Sequence, residues 1–172
     1  MSQPVLTAHD VLEWNRKTTD AWRKLLTAHP EILALPCDVA RVTHVAQLLQ
    51  HIVAVELRYA ERLLGQPETD YASIAYDTVE NIFSTHDRAM QLMNQALEHN
   101  RDWDTTIEFV TRTYGPARAS LKTIFFHSIF HSIRHYAQLA TLVRQNGFKI
   151  DLPGDYLFMG MTIGQSHTAH QR

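Results

Sequence analysis

Apolar residues recur at helical spacing in four long segments, and glycine and proline fall between those segments. The first runs from about Ala8 to Ala28, with Val11, Trp14, Trp22, Leu25 and Leu26 on its apolar side and Asp10 as its expected cap. His29-Pro30 ends it, because proline disfavours helical geometry in the residue before it. A second helix is predicted from about Val39 to Leu64, opened by Asp38 after Pro36-Cys37 and stopped by Gly65-Gln66-Pro67. The third spans about Thr78 to Glu98, where Val79, Ile82, Phe83, Ala89, Met90, Met93 and Leu97 mark the buried side. Residues 101–114 are β-branched and aromatic, which predicts an extended or irregular stretch. The fourth helix is the longest, from about Pro116 to Asn146, with Pro116 in its first turn and Gly147 in the left-handed position after its end. Beyond it, Tyr156-Leu157-Phe158-Met159 are expected to pack back on the helices, and residues 164–172 to be loose.

Four helices with moderate connections predict an all-α protein, a four-helix bundle with irregular connections and a C-terminal tail. No repeat or boundary interrupts the pattern, so one domain is expected over 1–172, with its core at about 8–148 and the tail at 149–172. The chain's 172 residues, 45% hydrophobic and 20% charged, suit one globular core and exclude disorder. Sixteen Lys and Arg against eighteen Asp and Glu leave a net charge of −2 with no basic block, which argues against a nucleic-acid partner. Cys37 is the only cysteine, the start MSQPVLTAHDVLEW has no apolar signal core, and no uncharged apolar run reaches ~18 residues. A cytoplasmic protein without a membrane partner is expected. Ile124, Phe125, Phe126, Ile129, Phe130 and Ile133 place apolar groups round nearly the whole fourth helix, which predicts cover by a second copy in a homodimer.

Histidine is over-represented, with eleven in the chain. His127, His131 and His135 follow one another at four-residue steps, and each step turns a helix by only ~40°, so all three share one side. Gln138 continues that line. Two imidazoles one turn apart can reach a single metal ion. The alternative is a row of core histidines bonded to one another or to backbone, at a desolvation cost that a common partner would offset. A further ligand should come from a neighbouring helix. His44 and His51 share a side of the second helix, while Glu56 lies near the centre of the stripe through Val45, Leu49, Ile52, Ala60 and Leu63. Pattern alone makes Glu56 the more buried candidate, as a ligand or as a partner to one. His86 lies on the apolar stripe of the third helix, where a satisfied core histidine is the ordinary reading.

Three segments resemble the DinB-like proteins, the damage-inducible and thiol-transferase superfamily. HIVAVELRYAERLLG at 51–65 is similar to the second helix of that family, in which a histidine precedes a glutamate. HSIFHSIRHYAQLATLVRQNG at 127–147 resembles its last bundle helix, through His131, His135-Tyr136-Ala137-Gln138 and Arg144-Gln145-Asn146-Gly147. EWNRKTTDAWRKLL at 13–26 is similar to the first, so the resemblance covers about residues 8–148. It implies a three-histidine site for a divalent metal at His51, His131 and His135, with Glu56 and Gln138 as partners around it and His127, one turn before the pair, as either a fourth ligand or an outer partner. Tyr136-Ala137 departs from the common Arg-Gly of the family, and His127 is an added imidazole.

Three neutral imidazoles leave a divalent ion a position for water, substrate or thiolate. Zinc or nickel is expected, though imidazole also accepts iron and manganese. Such an ion activates bound water or a thiol and polarises carbonyls. The resemblance implies a metal-dependent transferase or hydrolase that takes a small-molecule substrate and uses a low-molecular-weight thiol. The alternative is a non-catalytic metal-binding or structural homodimer of a stress-response type. Glu56, His127 and His44 are the candidate general bases. Arg58, Tyr59 and Arg62 read as a solvated helix face more readily than as a pocket mouth. Cys37 follows a proline in a loop with no histidine fixed nearby, so it is not expected to be a nucleophile.

Overall fold

The computed structural model describes residues 4–99, 101–111, 113–150 and 154–162. Helix α1 spans Ala8–Ala28. Its cap is Thr7, not Asp10: Thr7 Oγ1 accepts from the Asp10 backbone N–H at 3.1 Å, and Asp10 Oδ2 accepts from that of Thr7 at 2.9 Å. Asp10 thus completes a reciprocal capping box from the third helical position. Pro30 opens a 3₁₀ turn, Pro30–Ala34, directly after the helix.

Helix α2 covers Val45–Leu63, so the expected start near Val39 is corrected by six residues. The intervening Val39–Arg41 forms a separate 3₁₀ turn, in which Ala40 and Arg41 take left-handed backbone at φ 55° and 62° that no α-helix can continue. Asp38 makes no side-chain cap there, and His44 caps α2 instead, its Nδ1 accepting from the Gln47 backbone N–H at 3.4 Å. Helix α3 spans Val79–Glu98 behind the Thr78 cap.

The extended stretch is a hairpin. Strand β1, Thr106–Thr111, pairs antiparallel with β2, Gly115–Ser120, in a register that sets Ile107 against Ala119 and Phe109 against Ala117. The residues expected to open the fourth helix therefore belong to β2, and Pro116 is a strand residue opposite Val110. The reason is tertiary: β1 offers a paired ladder to a segment whose own helical preference is modest, and Gly115 turns the chain at φ 73°. Helix α4 follows at once as Leu121–Gln145, capped by Ser120, whose Oγ accepts from the Thr123 backbone N–H at 3.2 Å. Among the described residues the fold is thus all-α, four α-helices with one small hairpin.

Helix α2 packs on both α3 and α4, and α1 closes the bundle against the same two helices. Trp22 of α1 is 1% exposed and stacks on Tyr136 of α4, ring centroids 5.9 Å apart. Tyr136, one of the two departures from the family pattern, is thus a core residue. The tail returns only in part: Trp14 Nε1 donates to the Gly154 carbonyl at 3.0 Å and its ring meets Tyr156 edge-on, whereas Leu157 and Phe158, expected to pack on the helices, stay exposed. The loose end expected at 164–172 lies outside the described residues.

Truncating the α1 side of this stack should be costly. Trp22→Ala should destabilise the fold by about 3–5 kcal/mol, measured by urea unfolding of variant and wild type.

Candidate metal centre

Helix α4 presents His131 and His135 from its buried side, one turn apart, and α2 presents His51 opposite them. One ring nitrogen from each of the three lies within 4.8 Å of the other two. His131 Nε2 and His135 Nε2 are 3.2 Å apart. Two imidazoles bound to a common ion at ~2.0–2.1 Å would hold their nitrogens roughly 3.0–3.4 Å apart at bond angles between square and tetrahedral. The pair already has that spacing, and the three residues can hold a metal ion.

The proton on His135 is fixed from both sides. Its Nδ1 lies 2.7 Å from Gln138 Oε1, an acceptor, while Arg134 Nη2 donates to its Nε2 from 3.2 Å. Both contacts require the proton on Nδ1 and a lone pair on Nε2, the tautomer a metal ligand needs. Burial pushes the pKa of His131 down to about 2, helped by the positive charge that His135, His51, His127 and Arg134 would share with it. Burial lowers His135 as well, although the bond to Gln138 opposes the shift. His131 Nδ1 is buried and makes no hydrogen bond. Neutral rings with available lone pairs are what this environment favours.

The remaining candidates lie elsewhere or at the edge. His127 is exposed, with its ring 5.4 Å from that of Tyr59 and 5.6 Å from that of His131. Glu56 is fully buried, and its two oxygens engage Asn15 Nδ2 at 2.8 Å and His86 Nδ1 at 2.7 Å. His86 is accordingly a satisfied core histidine. His44 serves as the α2 cap. Arg58 and Arg62 share Glu68, and Arg62 also lies over the rings of Tyr59 and Phe109. Cys37 is buried, and burial pushes its thiol pKa up, which suits no nucleophile. Sequence reasoning overlooked two residues here. Asn15 had left a signal, a polar side chain four residues from Val11 and seven from Trp22 on the buried stripe of α1. Arg134 had left none beyond its place beside His135.

A model of the DinB family matches residues 1–159. The chain belongs to the DinB family. No curated protein matches it. In this DinB-family chain the three histidines that the resemblance singled out converge from two different helices.

The depressed pKa values set a pH dependence for the metal-free protein. Because His131 binds its proton far more weakly folded than unfolded, unfolding takes up a proton once the pH drops below the ordinary value of 6.5. Stability is therefore complete above that value and erodes as the pH falls toward about 2. Urea unfolding between about pH 7.5 and pH 5 should show this decline, approaching ~1.4 kcal/mol per pH unit for each such histidine. His131→Gln should give a shallower slope.

Proposed function

We propose that this DinB-family protein binds one divalent metal ion, zinc or nickel, through His51, His131 and His135. The bound ion supplies a Lewis acid able to activate water or a thiol. On this reading the protein is a metal-dependent transferase or hydrolase that acts on a small molecule, with a low-molecular-weight thiol as its nucleophile in the transferase case. The observation that carries the reading is the convergence of three imidazoles, one with its tautomer held by Gln138.

The protein's own groups would share the work. Gln138 keeps the His135 lone pair directed away from itself, and burial keeps His131 unprotonated near neutral pH. His127 and Tyr59 stand at the exposed edge, where His127 can exchange a proton with solvent. Three protein ligands is the pattern of catalytic zinc sites, whereas structural sites close with four. That distinction favours the enzyme over a non-catalytic metal-binding homodimer.

A homodimer is compatible with either role. Phe126 and Phe130 stack on the outer side of α4 with centroids 6.0 Å apart, and Phe130 is 44% exposed. The same side carries Ile133, half-buried. We propose this stripe as the surface that a second copy covers, in a cytoplasmic protein; no described helix is long and apolar enough to cross a membrane.

Metal analysis of protein purified without tag or added metal should find about one divalent ion per chain, absent from His51→Ala, His131→Ala and His135→Ala. Wild type that stays metal-free after reconstitution with zinc and nickel would refute the reading. Light scattering should return twice the 19.8 kDa chain mass, and Phe130→Glu should halve it.

A further inference from the structure

Arg134 differs from the arginines that brace the helices. Arg16, Arg23, Arg58, Arg62 and Arg88 each have a carboxylate partner. Arg134 is exposed, pairs with no carboxylate among the described residues, and hydrogen-bonds instead to His135 Nε2, which His131 Nε2 also approaches to 3.2 Å. The His135 nitrogen carries the lone pair that a metal ion would take. Guanidinium and ion therefore compete for one pair of electrons, and an arriving ion must displace Arg134 toward solvent.

Charge balance then asks for a further group. Three neutral imidazoles contribute nothing against a divalent ion, and the cluster contains no carboxylate among the described residues. Glu56 is engaged by Asn15 and His86, and Glu61 by Thr69 and Arg88. An ion held by these histidines and the guanidinium beside His135 repel each other unless an anion joins them. The planar fork of arginine matches a carboxylate through two parallel hydrogen bonds.

We propose that Arg134 is the anion-docking residue of this site, and that the small molecule received there carries a carboxylate. The proposal rests on the metal reading above and names the substrate class for it. Arg134 has two consequences on this account. It weakens binding of the bare ion, by holding the His135 lone pair and by its charge, and it strengthens binding of a carboxylate once the ion is present.

Cobalt(II) serves as the probe, because its visible absorption reports both its own binding and that of an added ligand. Wild type, Arg134→Ala and Arg134→Lys would be titrated with cobalt, and the loaded proteins with acetate, its uncharged analogue acetamide, and inorganic phosphate. Matching circular dichroism and melting would establish that the variants fold, and Arg134→Gln provides a second neutral variant. We expect Arg134→Ala to bind bare cobalt more tightly than wild type and acetate roughly tenfold or more weakly. Arg134→Lys should fall between them, and acetamide should not bind. Equal acetate affinity in wild type and Arg134→Ala overturns the docking role, as does bare cobalt binding no tighter in that variant. Phosphate binding tighter than acetate overturns the carboxylate assignment. Wild type that binds no cobalt overturns the metal reading itself, and the docking role with it.

Discussion

The site depends on how closely α2 can sit against α4, because His51 must reach the level of two imidazoles on another helix. Small side chains ease close packing, and the buried side of α4 carries Ser128 and Ser132, both fully buried. Their hydroxyls donate back to the carbonyls of Phe125 and Ser128, at 2.7 and 3.1 Å, so neither leaves an unmet donor. Above and below, Ile124, Ile129, Leu139 and Val143 fix the rotation of α4 by burying its other positions. The four-residue step of His131 and His135 then does the rest, since one helix turn separates their rings.

A second polar group is buried in the same bundle without touching solvent. Asn15 of α1, Glu56 of α2 and His86 of α3 meet through the two oxygens of one carboxylate, tying three helices at one level. Such a group adds little net stability over apolar packing, but breaking it strands a buried charge, so it selects one arrangement of the helices over others. Glu56 and His51 lie on the same helix, five residues apart. Whatever fixes α2 through Glu56 also fixes the level of His51.

The helices were legible because their apolar stripes repeat over several turns, and α1 and α3 lie within a residue of the expected limits. Local caps were less so: Thr7 outranked Asp10 because a reciprocal box uses both residues, with the threonine outside the helix. The start of α2 was hidden by Ala40 and Arg41, whose left-handed backbone nothing in their side chains announces. Strand β2 was illegible, since GPARAS has no strand pattern of its own and pairs only because β1 lies beside it. At the site, spacing favoured His131 and His135, but periodicity favoured Glu56 over His51 on α2. Periodicity ranks residues by burial, whereas His51 sits half-buried at the edge of the stripe, where its ring meets those of His131 and His135 on a neighbouring helix.

The hairpin carries a consequence for how this architecture can diversify. Its backbone runs into α4 without a loop, through Leu121 and Lys122, whose N–H groups bond to the carbonyls of Thr105 and Trp103. Its inner residue Phe109 reaches Tyr59, which in turn borders His127. The histidines are held by helices packed deep in the bundle, while this flank of their surroundings is a surface ribbon braced by few contacts. Exchange of side chains on the ribbon can reshape this flank without moving the floor beneath, so one end of the molecule is free to vary while the other stays fixed.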